Sequence, residues 1–188
     1  MTLTYPATHE PIGVVLTADE YDALPPNNLR ELVDGVVRVM ATPTFWHQDV
    51  ADALKNALRG AGEHGYRVSG PIEVRLGNLL RRNPDVVVVR REHYDRRASR
   101  VLPEHVVLAV EVVSPGSETD DRREKPVEYA EAGMEHYWRV EIDPEIAIHT
   151  FRLGDNGYLE TGVWKAGDVV DAPGVRWARI LVDDIIDA

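Results

Sequence analysis

The sequence contains no cysteine, which excludes a disulfide framework and thiolate metal sites and suits a reducing compartment. Positive charge is scarce: 21 lysines and arginines face 32 aspartates and glutamates, for a formal net charge of -11. That balance argues against a protein that coats nucleic acid without specificity, because phosphate contacts supply most of such affinity. No apolar run approaches membrane-spanning length, and the opening MTLTYPATHEP lacks a basic stretch followed by an apolar core. A soluble cytoplasmic protein with no membrane partner is the expectation. A P-loop, GxGxxG, HExxH and GxSxG are all missing, as are internal repeats. The 188 residues have the size of one domain and can bury a proper core.

What is present centres on two valine-rich runs that each carry one acid: RRNPDVVVVR with Asp85, and VVLAVEVVSP with Glu111. β-Branched residues fit a buried pleated surface, so both runs read as interior strands. If they pair antiparallel with Arg90 opposite Val106, the same register sets Asp85 opposite Glu111. Opposed side chains have Cβ atoms roughly 4.5–5.5 Å apart, close enough to share one cation. Two carboxylates at that distance repel unless a metal, a proton or a base intervenes. The competing reading makes Asp85 a Pro-Asp turn residue and pairs Glu111 with an arginine. The arginines cluster nearby, at Arg75, Arg81, Arg82, Arg90, Arg91, Arg96, Arg97 and Arg100. They read either as a basic rim for a polyanionic substrate or as a solvated loop.

Along the chain, LTADEYDALP reads as a short helix with a capping box of Thr17 and Glu20, ended by Pro25 and Pro26. In LRELVDGVVRVM, Asp34-Gly35 between β-branched runs signals a hairpin that pairs Val33 with Val36, Glu31 with Arg38 and Leu29 with Met40. Glu31 then falls on a mostly apolar face, as an ion-pair partner of Arg38 or a metal-site acid. From Phe45 to Ala61 the spacing of Val50, Leu54, Ala57, Leu58 and Ala61 is helical, with Gly60 and Gly62 as the stop. His47 stands in the first turn of that helix, as a ligand or as an ordinary satisfied histidine. YRVSGPIEVRL is a strand broken at Gly70-Pro71.

After Glu111, Ser114-Pro115-Gly116 ends the strand, and Asp121 with Glu124 resembles a capping box for a helix closed by Gly133. Pro126 implies a later start or a kink. Lys125 falls near the beginning of this helix, either pointing back to Glu111 or simply exposed. HYWRVEID alternates as a half-buried strand, and EIAIHTFRL and YLETGVWKAG continue an antiparallel meander through Asn156-Gly157. Ile180, Leu181, Ile185 and Ile186 are expected to pack a last short helix on the sheet.

In this order, ELVDG, His47, NPDVVVV, VEVVSPGS, DRREKPVEYAEAG and HYWRVEID resemble the Uma-two family of restriction-endonuclease-like proteins, a branch of the PD-(D/E)XK nuclease superfamily. The resemblance spans about residues 16–143 and extends more loosely over 144–188. It implies an α+β fold, with a central mixed sheet flanked by helices in an αβββαβ nuclease core. It also implies that Asp85 and Glu111 bind a divalent metal. The superfamily's lysine two residues after Glu111 is replaced by Val113; the resembling family supplies it from the next helix, and Lys125 is the matching position. Glu31 matches a recurring acid and His47 a recurring histidine.

Hard oxygen ligands without cysteine suit Mg²⁺ or Mn²⁺. The expected function is a metal-dependent endonuclease that hydrolyses phosphodiester bonds, in DNA before RNA, as a monomer or a homodimer, with Asp85, Glu111, Lys125, Glu31 and His47 in the site. The competing function, motivated by Val113, is a catalytically silent nuclease-like fold that binds nucleic acid or protein. A third reading is a hydrolase of small phosphoesters, which would show no salt-dependent binding to a polynucleotide.

Overall fold

The computed structural model describes residues 14–186 except Pro26 and Asn28, together with the side chains of all but Ile186. The opening segment, Pro26 and the side chain of Ile186, each of which figured in the sequence reading, therefore lie outside the described residues. Thr17 caps α1 (Ala18–Asp22) through the expected reciprocal box with Glu20. The hairpin of β1 (Arg30–Val33) and β2 (Val36–Val39) has the expected register, Val33 with Val36 and Glu31 with Arg38. Asp34 and Gly35 both take positive φ, as a type I′ turn requires. A Cβ on Gly35 would stand 2.5 Å from Val15 Cγ1, so the turn also lets the preceding segment cross closely.

α2 (Phe45–Ala57) begins at the Thr44 cap. It does not stop at Gly60 and Gly62 but tightens into a 3₁₀ stretch, Leu58–His64, closed by the left-handed Gly65. Gly70-Pro71 does more than bend one strand: β3 (Tyr66–Ser69) and β4 (Glu73–Arg75) join different sheets. β5 (Arg81–Arg82), β6 (Val86–Arg90) and β7 (Arg100–Val101) follow, then β8 (Val106–Val112). α3 (Lys125–Glu131) comes next, then β9 (His136–Glu141), β10 (Ala147–Gly154), β11 (Gly157–Trp164) and α4 (Asp183–Ile186).

These strands form two mixed sheets, a six-stranded one ordered β11-β10-β9-β8-β6-β3 and a five-stranded one ordered β2-β1-β5-β4-β7. The fold is α+β, as expected, but the second sheet was not anticipated. In the larger sheet β8 and β9 run parallel, and the other neighbours are antiparallel. Side-chain alternation gives the sheet two buried faces. Val86, Val88, Val110 and Val112 face a core with Val50 and Leu54 of α2 and Ile185 of α4. Val87, Val89, Ala109 and Tyr137 face Tyr129 of α3 and Val74 of the smaller sheet.

Consequently β9 is an interior strand, with His136, Tyr137 and Trp138 all buried, and the half-buried reading of HYW is corrected. At the C-terminus, Ile180 and Ile185 pack as expected, whereas Leu181 is exposed and Val182 is buried in its place.

Candidate functional site

The register that brings the two acids together is present over the critical part. Val86, Val87 and Val88 pair with Val110, Ala109 and Leu108, the pairing that, one residue further, aligns Asp85 with Glu111. Beyond it a bulge intervenes, so Val89 rather than Arg90 faces Val106. On the other edge of β6, Arg90 pairs with Tyr66 of β3. Asp85 lies just before β6 and Glu111 one residue before the end of β8. Because these strands are antiparallel, the start of one adjoins the end of the other, and α2 and α3 bring their own first turns to the same place from opposite faces of the sheet.

There the acids border a cavity of about 150 Å³ whose walls include His47, Ser117, Asp121 and Lys125. Asp85 Oδ2 accepts the Val112 backbone N–H at 2.8 Å and lies 3.2 Å from His47 Nε2. Glu111, 1% exposed, accepts the Tyr129 hydroxyl on Oε1 at 2.5 Å and meets Lys125 Nζ on Oε2 at 3.0 Å. Lys125 therefore points back to Glu111. Its second partner is Asp121 Oδ1, at 2.7 Å.

Asp121 was read as a capping residue, and this is corrected. Asp120–Glu124 form a π-helical turn whose N-cap, Thr119, makes no side-chain capping bond, and the α-helix proper starts at Lys125 with Pro126 in its first turn. Pro126 explains the late start, since it has no N–H to donate and its ring clashes inside a helix. The Asp121 carboxylate instead accepts the Ser117 hydroxyl at 2.5 Å, and Tyr137 donates to its backbone carbonyl at 2.8 Å. Sequence reasoning missed Asp121 and Tyr129 as members of the site. Their only available signal was helical spacing, with Asp121 and Tyr129 each four residues from Lys125.

Three acids thus face one lysine and one histidine. Burial pushes the Glu111 carboxyl well up, reinforced by Asp121 and Asp85 and opposed by Lys125 and Tyr129. Burial likewise raises Asp121, against Lys125 and Ser117. For Lys125 burial acts downward, but Glu111, Asp121 and Glu31 outweigh it and hold the ammonium firmly charged. Burial also acts downward on His47, and the hydrogen bond and charge of Asp85 overcome it. The Nδ1 atom of His47 is buried with no hydrogen-bond partner among the described residues.

The donor chemistry fits a hard divalent cation, since Asp85 and Glu111 offer oxygen ligands in a region with excess negative charge. Among the described residues no three histidine, aspartate or glutamate side chains are arranged to hold a metal ion. This is compatible with Mg²⁺, which is typically held by one or two carboxylates and retains several waters.

Glu31 lies outside this cavity. Its carboxylate takes Arg82 NH1 at 2.7 Å and the Asn83 backbone N–H at 3.0 Å, while Arg38, opposite it in the hairpin, pairs with Asp120 and Glu124. The alternative Glu31–Arg38 ion pair is therefore corrected. Of the clustered arginines, read as a basic rim or a solvated loop, Arg75, Arg81, Arg82 and Arg100 are used within the protein. Arg81 and Arg82 are fully buried, Arg81 on Asp22 and Glu73 and Arg82 on Glu31 and Glu128. Arg75 pairs with Asp19 and Arg100 with Asp22.

Among the described residues no helix is long and apolar enough to cross a membrane. A solved structure from Anabaena variabilis, described as "a putative nuclease belonging to DUF820", is similar in fold, with a TM-score of 0.73 at 16% identity over 92% of this chain and 98% of that one. No curated protein matches the chain. The profile of the Uma2 family, described as "Putative restriction endonuclease", matches residues 18–182, and the chain belongs to that family.

Proposed function

We propose that this protein is a metal-dependent endonuclease that hydrolyses phosphodiester bonds, with DNA as the favoured substrate. The observation that carries the reading is the contact of Lys125 with Glu111 at 3.0 Å. Position 113 holds a buried valine, yet a lysine from the following helix reaches the strand acid beside Asp85. Family membership and the shared fold support a nuclease; metal dependence and the DNA substrate are our inference from the donor set.

Mg²⁺ or Mn²⁺ held by Asp85 and Glu111 would polarise the phosphodiester and lower the pKa of a bound water. Both polar contacts of Asp85 fall on Oδ2, leaving Oδ1 for a ligand, and His47 fixes the orientation of that carboxylate. An ammonium has three N–H donors. Lys125 directs two of them at Glu111 and Asp121, and the third remains for a scissile phosphate oxygen or the attacking water, as transition-state stabilisation requires. Asp121 is the residue that aims Lys125. Glu31 positions the stretch entering Asp85 through Arg82 and Asn83, and its charge helps to hold Lys125 protonated.

The test is cleavage of plasmid and single-stranded DNA by the full chain with Mg²⁺, Mn²⁺ or EDTA, comparing wild type with Asp85→Ala and Lys125→Ala. Metal-dependent nicking lost in both variants supports the reading. Retained cleavage in Asp85→Ala ends it. Metal binding without cleavage of any nucleic acid would favour a silent nuclease-like module.

A further inference from the structure

A second and larger cavity, about 370 Å³, adjoins the candidate site, and Pro71 and Asn83 line both. Its far wall is the exposed loop from Tyr94 to Arg100. The half-buried acids of this cavity are already occupied: Asp22 pairs with Arg81 and Arg100, and Glu73 with Arg81. Asp95 turns inward on its own loop, where its Oδ1 accepts the Arg97 backbone N–H at 2.9 Å. Arg96, which lines the cavity, and Arg97 beside it have no acidic partner among the described residues. Tyr94 is 41% exposed, and the Arg67 guanidinium lies 5.9 Å from its ring centroid, which props the ring from one side. An exposed aromatic ring beside unpaired arginines, on a chain otherwise rich in acids, is the combination that tracks a nucleic-acid strand: cations on phosphates and a ring face for a base.

We propose that this cavity is the path of one nucleic-acid strand on its way to or from Lys125 and Glu111, with an unpaired base stacked on Tyr94 and phosphates held by Arg96 and Arg97. The inference rests on the nuclease reading and sharpens it. A small phosphoester would need only the inner cavity, whereas a polynucleotide occupies both. The unpaired base makes the substrate at this point single-stranded or locally opened.

The experiment is a fluorescence-anisotropy titration of a labelled single-stranded oligonucleotide with the full chain in EDTA, over a salt series, with cleavage measured in parallel in Mg²⁺. Arg96→Ala/Arg97→Ala is expected to reduce the slope of log affinity against log salt by about 1.4, or about 0.7 for each single-strand phosphate contact. Tyr94→Ala is expected to weaken binding on the order of tenfold with the slope unchanged. Arg176→Ala/Arg179→Ala, a charge-matched control at exposed residues that line neither cavity, should leave the slope near that of wild type. Because all these side chains are exposed, thermal midpoints should be unchanged.

A wild type that cleaves while the loop variants bind and cleave as it does overturns this inference and leaves the nuclease reading intact. Loss of slope only in the loop variants, with no cleavage by wild type in any metal, sustains the strand path and overturns the nuclease reading. Wild type that binds no oligonucleotide overturns the path outright.

Discussion

The five residues Arg81-Arg82-Asn83-Pro84-Asp85 carry the chain between two buried charge clusters that differ in kind. In the first, the two buried guanidinium forks of Arg81 and Arg82 hold four carboxylates, those of Asp22, Glu73, Glu31 and Glu128. Arg82 donates to Glu128 through two nitrogens, at 2.7 and 2.8 Å, and to Glu31 at 2.7 Å, while Arg81 binds Asp22, Glu73 and the Ala18 carbonyl. In the second, Asp85, Glu111 and Asp121 share Lys125 and His47, and the acids are pushed toward the neutral form. Burial of charge alone does not mark a functional site. What separates the clusters is the kind of cation: multi-donor guanidinium forks fasten the first, whereas in the second three acids meet a single ammonium and a single imidazole.

The largest expected effect falls on the first cluster. Arg82→Met strands Glu31, 3% exposed, without its partner and should cost about 3–5 kcal/mol of stability by urea denaturation; an unchanged midpoint would break the comparison. Lys125→Ala should reduce cleavage by about 100- to 1,000-fold. Its stability loss should be smaller than that of Arg82→Met, because Glu111 and Asp121 can take up protons. Equal losses would erase the distinction.

A matched pair sharpens the contrast further. Glu31→Gln should destabilise by about 1–3 kcal/mol by weakening a charged hydrogen bond. Glu111→Gln should leave the thermal midpoint unchanged or raise it while abolishing cleavage, since it removes a repelled charge. The smallest effect is Tyr129→Phe, which deletes one hydrogen bond to Glu111 and should cost about 1 kcal/mol of stability. Its cleavage rate should fall by less than that of Lys125→Ala.

Local chemistry made much of this legible in the sequence. The Thr17–Glu20 box and the Asp34-Gly35 hairpin follow from short-range rules of capping and turn type, whereas the register of Val86–Val88 on Leu108–Val110 was supposed, across a long connection, and is present in the structure. The separation of β3 from β4 into two sheets was not readable, because Gly70-Pro71 announces a break but not where the chain goes afterwards. The fate of the arginines was hidden for the same reason. Arg81 and Arg82 look like their neighbours Arg96 and Arg97 in composition, and only tertiary packing decides which are consumed. Asp121 was lost to a competing local reading, since an acid three residues before a glutamate imitates a helix cap, and Pro126 was the one residue arguing against it.

Carrying the lysine on α3 instead of on β8 also has a bearing on assembly. A lysine two residues beyond Glu111 would arrive with the strand, so a chain that had merely formed its sheet would already hold the set. Here the set is complete only once α3 docks, through Arg82–Glu128 and the Tyr129–Glu111 bond. On the proposed nuclease reading, a partly folded chain, or one whose helix has transiently lifted away, would be inert. On that reading the lysine's place on α3 makes docking of a single helix a safety catch on the whole molecule.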